Sequence, residues 1–443
     1  MARLFGTDGI RGVANVDLRP PLAYALGRAT AHRLVADGGA IVVGQDTRRS
    51  GDMFVAAIAA GATSLGIDVH EVGVVPTPGL AFLAGQPEFA AGIMVSASHN
   101  PAADNGLKVL DDRGLKLDDD IEDELEALIW RSEELGGVGN DRLGRIHRAT
   151  DVVDRYRDAR LALARGIPTD IRIVLDCANG SGGTLGPQIL AATGARLDVI
   201  HNEPDGANIN VRSGATAPAS LAAAVVALGA DVGFALDGDA DRLIAVDANG
   251  AVVDGDQLLG VLALDRLARG ALPGGGLVVS VLSNGGLQAV VEAAGGQVVR
   301  TPVGDKYILE GMQVSGATLG GEKSGHVIVL EQTTSGDGVV TALEILRVMT
   351  RTGRSLRELA AQVPLLPQQQ RAVPARHRDQ WEGDPVFQAA VSEAKLRLGP
   401  GGRILVRPSG TEPALRVMVE GSDTALVNKL ADGLAALAGD RLD

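Results

Sequence analysis

One structural pattern occurs three times along this chain, and it constrains the fold more than any other feature. Each copy has an apolar strand, a turn with Gly and Asn or Asp, a helical segment and a second apolar strand, with glycine at the helix end. The copies begin with strands and turns at 41–48, 171–180 and 277–286, and end with strands at 66–69, 194–199 and 295–299. Such βαβ units place largely parallel strands in one sheet. The pattern predicts three related α/β domains, and a single long doubly wound domain is the alternative it leaves open.

The C-terminal part of the chain follows a different pattern. The Pro- and Gln-rich segment 364–370 indicates a domain junction. Beyond it, strands are predicted at 403–407 and 415–419, joined by the turn 408–413, and a helix is predicted at 425–438. These elements indicate a small α+β domain of a different kind.

Composition argues against several classes of function. A net charge of −14 over 443 residues disfavours a nucleic-acid or anionic-membrane surface, and 2% aromatic residues leave few stacking platforms. The single cysteine, Cys177, cannot form an intrachain disulfide and fits a reducing compartment. No signal-peptide core is present, and no segment reaches the ~18 apolar residues of a membrane span. We therefore expect a cytoplasmic protein with a small-molecule partner and neither nucleic acid nor membrane; a homodimer is compatible with the sequence.

The segment Ser-Ala-Ser-His-Asn-Pro at 96–101 carries a hydroxyl, an imidazole and a carboxamide side by side. It follows the apolar run 91–95, so it lies at the end of a predicted strand, where α/β proteins assemble their sites. Serine is a poor nucleophile at its free pKa and needs cations and a base. A loop serine beside a structural histidine is the alternative for this pair alone, and the motifs below favour a site.

A second motif, Asp237-Gly-Asp239-Ala-Asp241-Arg242, follows the predicted strand 232–236. Carboxylates at every second position can converge on one hard cation. An EF-hand would need glycine where Arg242 stands. Three carboxylates leave room for water and a phosphate oxygen, which suits Mg²⁺, whereas a solvated acidic turn is the alternative.

The turn 407–413 has the composition of a phosphate-binding loop. Arg407 offers a fork of donors, Ser409 and Thr411 offer hydroxyls, and Gly410 lets backbone N–H groups approach an anion. An ordinary hairpin turn is the alternative.

The polar loop 321–326 contains Glu322, Lys323, Ser324 and His326. Because no glycine precedes Lys323 directly, a Walker A nucleotide site is not supported. Glu322 and Ser324 are candidates to hold sugar hydroxyls, with His326 nearby as a donor or acid.

Together these motifs resemble the α-D-phosphohexomutase family, and the match spans nearly the whole chain. The motifs at 96–101, 237–242, 321–326 and 407–413 occur in the family's order. The opening segment 5–12 and the serine at the start of the first motif resemble the branch that acts on glucosamine phosphates.

The resemblance implies four domains around a central cleft. The predicted fold class is therefore α/β, with three related βαβ mixed-sheet domains plus a smaller C-terminal α+β domain. The phosphoserine, metal-binding, sugar-binding and phosphate-binding domains are predicted at 1–152, 153–251, 252–366 and 367–443. A helix at 150–165 is predicted to link the first two.

The resemblance also implies an activity and the residues that carry it. The expected reaction interconverts glucosamine 6-phosphate and glucosamine 1-phosphate through phospho-Ser98 and a 1,6-bisphosphate, feeding UDP-N-acetylglucosamine and cell-wall synthesis. The expected cofactor is Mg²⁺, held by the Ser98 phosphate, Asp237, Asp239 and Asp241. Arg11 and Lys108 are expected to flank the transferring phosphate, with Lys108 or His326 as general acid or base. The predicted catalytic residues are Ser98, His99, Lys108, Arg11 and His326. The predicted substrate-binding residues are Glu322, Lys323, Ser324, Arg407, Ser409, Gly410, Thr411, Arg242 and Lys306.

One residue departs from the family pattern. Lys323 stands where the glucosamine-phosphate branch usually has Gln and the phosphomannomutase/phosphoglucomutase branch usually has Met. The second of these branches is the alternative function. A phosphatase and a non-enzymatic phosphosugar-binding regulator are the alternatives from other classes.

Overall fold

The computed structural model describes residues 3–6, 8–35, 38–409 and 413–442. The chain forms two compact units. Met1–Val281 and Val291–Gln362 make the first unit, and Leu282–Val290 and Val363–Asp443 make the second. The predicted serine, metal and sugar motifs all lie in the first unit.

The first α/β segment contains a mixed sheet covered by helices. Its strands are β1 (Ile10–Val13), β2 (Ala40–Gln45), β3 (Val69–Val74), β4 (Phe89–Val95), β5 (Asp104–Leu110) and β6 (Ile146–Arg148). Its helices are α1 (Pro20–Leu34), α2 (Gly51–Thr63), α3 (Thr77–Ala84) and α4 (Asp119–Trp130). The strand order is β1-β5-β4-β2-β3-β6, with β2 parallel to β4 and β5 antiparallel to β4. Strands β2 and β4 are apolar because both lie inside the sheet with helices against them.

Helices α1 and α2 pack against each other through two glycines. A Cβ on Gly27 would lie 2.2 Å from the carbonyl oxygen of Ile58, and a Cβ on Gly61 would lie 2.2 Å from that of Tyr24. Only glycine permits this approach of the two helix backbones. The packing fixes the C-terminal half of α2 against α1, and α2 itself follows the turn that carries Asp46 and Arg48.

The second α/β segment presents the acidic motif at a hairpin. Its strands are β7 (Arg172–Asp176), β8 (Arg196–Ile200), β9 (Val232–Leu236), β10 (Leu243–Asp247) and β11 (Val252–Val253). Its helices are α5 (Val153–Arg165), α6 (Gly186–Ala191) and α7 (Ala219–Leu228). The strand order is β11-β10-β9-β7-β8, and Leu243 pairs with Leu236 in antiparallel β10 and β9. The turn 237–242 therefore joins two buried strands.

The third α/β segment presents the loop 322–326 in the same way. Its strands are β12 (Gly276–Ser280), β13 (Gln297–Thr301), β14 (Leu319–Gly321) and β15 (Val327–Val329). Its helices are α8 (Gly255–Ala268), α9 (Gly285–Ala293), α10 (Asp305–Ser315), α11 (Gly338–Thr352) and α12 (Leu356–Ala360). The strand order is β13-β12-β14-β15, and Gly321 pairs with Val327 in antiparallel β14 and β15.

The second unit is a small α+β structure. It contains β16 (Gln368–Pro374), α13 (Pro385–Leu398), β17 (Arg403–Pro408), β18 (Ala414–Glu420) and α14 (Thr424–Leu442). The antiparallel strand order is β16-β18-β17, and the two helices pack on the sheet through a shared apolar core. The segment Leu282–Val290, with the start of α9, also belongs to this unit. Asn284 accepts from the backbone N–H of Leu366 at 2.9 Å and donates to its carbonyl at 2.9 Å.

The predicted fold class is confirmed: three βαβ-based mixed-sheet segments precede an α+β segment. The boundaries of the four domains stay a prediction. One local expectation was wrong, because residues 368–370, expected in a junction, begin strand β16. The helix expected at 150–165 is present, as a 3₁₀ turn at 150–152 followed by α5. Among the helices of the described residues, none combines the length and the hydropathy needed to cross a membrane.

Candidate active site

Ser98 lies in the loop that follows β4 and is fully buried. Its hydroxyl donates a hydrogen bond of 2.6 Å to Asp237 Oδ2, and it lies 3.3 Å from His99 Nδ1. Its backbone has a φ of 51°, in the left-handed region that residues with a Cβ seldom adopt. The loop therefore holds the serine hydroxyl directly against the first carboxylate of the acidic motif.

His99 is neutral at neutral pH. Burial lowers its pKa to about 4, and the nearby positive charges of Arg242 and Arg11 add to this effect. Because the hydroxyl proton of Ser98 is directed to Asp237, the neutral ring can donate from Nδ1 to the Ser98 hydroxyl oxygen, 3.3 Å away. His99, the predicted neighbour of Ser98, is thus uncharged.

The three carboxylates of the acidic motif converge as predicted. Asp237, Asp239 and Asp241 are at most 4% exposed, and each offers an oxygen within 4.8 Å of the others'. Burial raises the pKa of Asp237 well above its usual range, and the charges of Asp241 and Asp239 raise it further. Asp239 Oδ1 and Asp241 Oδ1 are buried without a hydrogen-bond partner among the described residues. Buried, unpartnered carboxylate oxygens at this spacing fit a divalent cation with oxygen ligands.

A buried lysine lies beside this cluster. Lys108 Nζ, on β5, is 2.8 Å from Asp239 Oδ2 and 3.1 Å from Asp8 Oδ2. Burial opposes its charge, but Asp239 and Asp8 outweigh that effect and raise the pKa of Lys108. Lys108 therefore remains protonated.

Arg11 supports the serine loop from β1. It pairs with Asp8 and donates to the carbonyl of Ala97 and to Asn100 Oδ1, each at 3.2 Å. The predicted catalytic residues Ser98, His99, Lys108 and Arg11 are thus brought together.

Arg242 and His326 both lie beside the third carboxylate, Asp241. Arg242 Nε is 3.8 Å from Asp241 Oδ1, and His326 Nδ1 is 3.6 Å from Asp241 Oδ2. The backbone N–H of Gly336 donates to His326 Nε2 at 3.0 Å, which places the ring proton on Nδ1, facing Asp241. His326 is therefore positioned to orient this carboxylate.

The residues of the predicted sugar loop face other partners. Glu322 Oε1 accepts from the backbone N–H of Gly304 at 3.1 Å, and Lys323 Nζ is 3.9 Å from Asp254 Oδ2. The Ser324 hydroxyl oxygen is buried and has no hydrogen-bond partner in the described part of the chain.

Lys306 lies at the edge of a cavity of about 300 Å³ that adjoins the site. It forms an ion pair of 2.8 Å with Asp119. The same cavity is lined by Lys108, Asp241 and His326. Lys306 is therefore close to the predicted catalytic residues without contacting the serine loop.

The predicted phosphate loop lies in the second unit. Arg407 is on β17, and the Ser409 hydroxyl is buried without a partner among the described residues. Gly410 and Thr411 lie outside the described residues. A buried, unpartnered hydroxyl fits a site that awaits a polar ligand.

Several residues around the serine were not found from the sequence. Asp8 contacts Arg11, Lys108 and Lys116, and the Thr77 hydroxyl donates to Asp239 Oδ2 at 2.6 Å. Asp8 belongs to the opening segment 5–12, which is part of the family resemblance, so its charge could have marked it as a candidate site residue. Thr77 begins a short apolar helix and gave no signal.

Comparison with known proteins defines the class of this molecule. The chain is 50% identical to the phosphoglucosamine mutase of Moorella thermoacetica, over 99% of each chain. A phosphoglucomutase/phosphomannomutase family protein from Burkholderia thailandensis is 27% identical, with a TM-score of 0.84 over 100% of this chain and 99% of that one. Aspergillus fumigatus N-acetylphosphoglucosamine mutase, solved with GlcNAc-6P and magnesium, shares the fold at 20% identity, with a TM-score of 0.70 over 99% of this chain and 96% of that one. The molecule is an enzyme of the mutase type.

All four parts of the chain match one family. The Phosphoglucomutase/phosphomannomutase alpha/beta/alpha domains I, II and III and the C-terminal domain match residues 2–136, 154–250, 254–365 and 369–437. The chain belongs to the phosphoglucomutase/phosphomannomutase family, which confirms the resemblance found in its motifs.

Proposed function

We propose that this protein interconverts glucosamine 6-phosphate and glucosamine 1-phosphate through a phosphoserine at Ser98. The observation that carries the proposal is the buried Ser98 hydroxyl, 2.6 Å from Asp237 within a cluster of three carboxylates. Curated relatives at 45–50% identity over 98–99% of this chain are phosphoglucosamine mutases. The alternative phosphomannomutase/phosphoglucomutase activity has no better support.

The reaction consists of two phosphoryl transfers. Phospho-Ser98 passes its phosphoryl group to the free hydroxyl of the sugar monophosphate, which gives the 1,6-bisphosphate. The bisphosphate then reverses its orientation in the site, and its other phosphoryl group is transferred to Ser98. Lys108 and Arg11 provide positive charge beside the serine, and positioning supplies most of the acceleration.

Asp237, Asp239 and Asp241, with the Ser98 phosphate, would hold Mg²⁺. Bound there, the ion neutralises charge on the group being transferred. The unpartnered oxygens of Asp239 and Asp241 support this assignment. The position of His326 Nδ1, 3.6 Å from Asp241 Oδ2, also supports it, because the ring can orient this carboxylate.

The remaining predicted residues would hold the substrate. Glu322 and Ser324 are proposed to bind sugar hydroxyls, with Arg242 and Lys306 nearby. Arg407, Ser409, Gly410 and Thr411 are proposed to bind the phosphate that is not reacting. The hydroxyls of Ser324 and Ser409, which are buried and have no hydrogen-bond partner among the described residues, support both assignments.

The positive charge of Lys323 alone would disfavour an amino sugar, but the environment of this lysine reduces that effect. Asp254 lies 3.9 Å from Lys323 Nζ and offsets its positive charge. Repulsion between Lys323 and the amino group of glucosamine is reduced accordingly. The departure at this position is therefore compatible with glucosamine phosphates.

One assay tests the proposal. The purified protein is incubated with glucosamine 6-phosphate and Mg²⁺ while isomer formation and free phosphate are followed together. We expect the 1-phosphate without stoichiometric release of phosphate. Release of phosphate alone would indicate a phosphatase, and no change would indicate a binding protein. A faster reaction with glucose or mannose phosphates would favour the alternative branch.

A cytoplasmic location and a homodimer stay predictions.

A further inference from the structure

Two side chains outside the sequence motifs donate hydrogen bonds to the same two carbonyl oxygens of the serine loop. Arg48 Nη2 lies 3.0 Å from the carbonyl oxygen of Ser98 and 2.8 Å from that of Asn100. Asn210 Nδ2 lies 2.9 Å and 3.2 Å from the same two oxygens. We propose that Arg48 and Asn210, here called the carbonyl clamp, are positioning residues that hold Ser98 for phosphoryl transfer. This inference rests on the proposed function of Ser98.

The arginine of the clamp is held by buried partners within the fold. The side chain of Arg48 is fully buried and pairs with buried Asp46 at 2.9 Å. Its guanidinium also donates to the carbonyls of Pro101 and Asp104, so a single cation gathers the backbone of the whole loop. A planar fork of donors can do this, whereas the point charge of a lysine cannot.

The asparagine of the clamp comes from a different part of the fold. Asn210 stands in the loop between β8 and α7, with a φ of 61°, and its backbone N–H donates to the carbonyl of Ala178 at 2.9 Å. A Cβ on Gly238 would lie 2.6 Å from the Ser98 carbonyl oxygen and 2.9 Å from Asn210 Nδ2. The turn that carries the carboxylates therefore packs directly on the clamp. Asn210 and Gly238 therefore fix the position of the serine loop relative to the acidic turn.

The backbone conformation of Ser98 explains why this loop needs the clamp. A φ of 51° is unfavourable for serine, and such conformations persist only where the surroundings determine them fully. The clamp fixes the peptide that follows Ser98, and this directs the hydroxyl to Asp237. Because Asn210 Nδ2 and the two Nη atoms of Arg48 donate to backbone carbonyls of the loop, the clamp acts on the serine through its backbone. Its loss should therefore lower kcat and leave substrate binding unchanged.

The test uses an isosteric change at the half-buried member of the clamp. Asn210→Asp replaces the donor with an acceptor that faces two carbonyl oxygens. We expect kcat for glucosamine 6-phosphate to fall on the order of 10- to 100-fold, with KM unchanged. We also expect faster hydrogen exchange of backbone amides in residues 98–104. Asn208→Asp is the matched control, because Asn208 lies in the same loop and donates to the carbonyl of Glu203. It should retain the kcat and the loop exchange of the wild type.

A second variant guards against misfolding. If Asn210→Asp does not fold, Asn210→Ala removes the donor without adding a charge and should show the same two effects. The inference is overturned if the folded Asn210 variant has wild-type kcat, if its loop exchange is unchanged, or if Asn208→Asp loses as much activity. If the wild-type protein does not isomerise glucosamine 6-phosphate, the proposed function fails. The exchange comparison then still decides whether the clamp holds the loop.

Discussion

At the scale of single residues, Ser98 depends on a chain of buried hydrogen bonds. Its backbone N–H donates to the Ser96 hydroxyl oxygen at 2.9 Å, and that hydroxyl donates to Asp46 at 2.6 Å. Ser96 and Ser98 are both fully buried. The two serines of the motif therefore have different roles, since Ser98 directs its hydroxyl to Asp237 of the acidic motif and Ser96 directs its own to Asp46.

Replacing each serine should separate these roles. Ser98→Ala should abolish isomer formation, and its intact mass should lack the phosphate that we expect on the wild-type protein. Ser96→Ala leaves the buried N–H of Ser98 unsatisfied, which should cost about 1–3 kcal/mol of the free energy of unfolding. It should retain measurable activity, because the Ser98 hydroxyl is intact. Activity assays, intact mass and chemical denaturation check the pair. Full activity in Ser98→Ala would rule out the phosphoserine mechanism.

The sequence revealed the residues whose chemistry is local and missed those that act from a distance. Ser98 and the three aspartates stand in short motifs after apolar strands, so their convergence could be predicted. Asn210 is 112 positions away from Ser98 and lies in an irregular loop, where no periodic pattern indicates its partner. Asp46 and Arg48 were visible only as a turn residue pair, because their buried hydrogen bonds depend on the tertiary fold.

At the scale of secondary structure, apolar periodicity and glycine positions were sufficient for the βαβ units. Strand β16 was missed at its start because prolines at 364 and 367 precede it and indicate a junction. It alternates half-buried and exposed residues at an edge of its sheet, so its apolar signal is weak. The direction of β5 and β10, both antiparallel to a neighbour, could not be derived from the βαβ pattern alone.

The contact between α1 and α2 gives a prediction about helices. Gly61→Ala improves helix propensity by up to about 1 kcal/mol, but its Cβ would meet a backbone carbonyl oxygen at 2.2 Å. We therefore expect a net loss of about 2 kcal/mol in the free energy of unfolding. Gly433→Ala in α14 is the control, because nothing lies within 4 Å of its added Cβ. It should be neutral or stabilising in thermal and denaturant unfolding. Equal effects in both variants would contradict the close helix packing.

At the scale of the whole molecule, the activity should require a divalent cation. The carboxylates of Asp237, Asp239 and Asp241 are buried together, and their mutual repulsion is relieved by a positive ion. Chelation should abolish isomer formation, and added Mg²⁺ should restore it. Asp239→Asn should raise the concentration of Mg²⁺ required or eliminate turnover. Undiminished activity in excess chelator would contradict the proposed metal site.

A further prediction concerns the second unit. Arg407→Ala would remove the proposed charge-assisted contact to phosphate, and the loss of such a contact typically costs on the order of 2 kcal/mol. We expect lower rates in both directions of the reaction and a new dependence on added hexosamine 1,6-bisphosphate, because the intermediate escapes. Rate measurements with and without added bisphosphate check this. An unchanged KM and no need for bisphosphate would show that 407–413 is an ordinary hairpin.

The C-terminal structure is discontinuous in sequence, and this restricts how relatives of this enzyme can recombine. Its fold includes Leu282–Val290, where Asn284 makes two hydrogen bonds to the backbone of Leu366 and the N–H of Gly285 donates to buried Glu420 at 3.1 Å. A chimaera joined near residue 366 would take one side of these contacts from each parent. Such a hybrid should fold well only where both parents agree at these positions. The two gene segments that encode Leu282–Val290 and Val363–Asp443 must therefore be exchanged together.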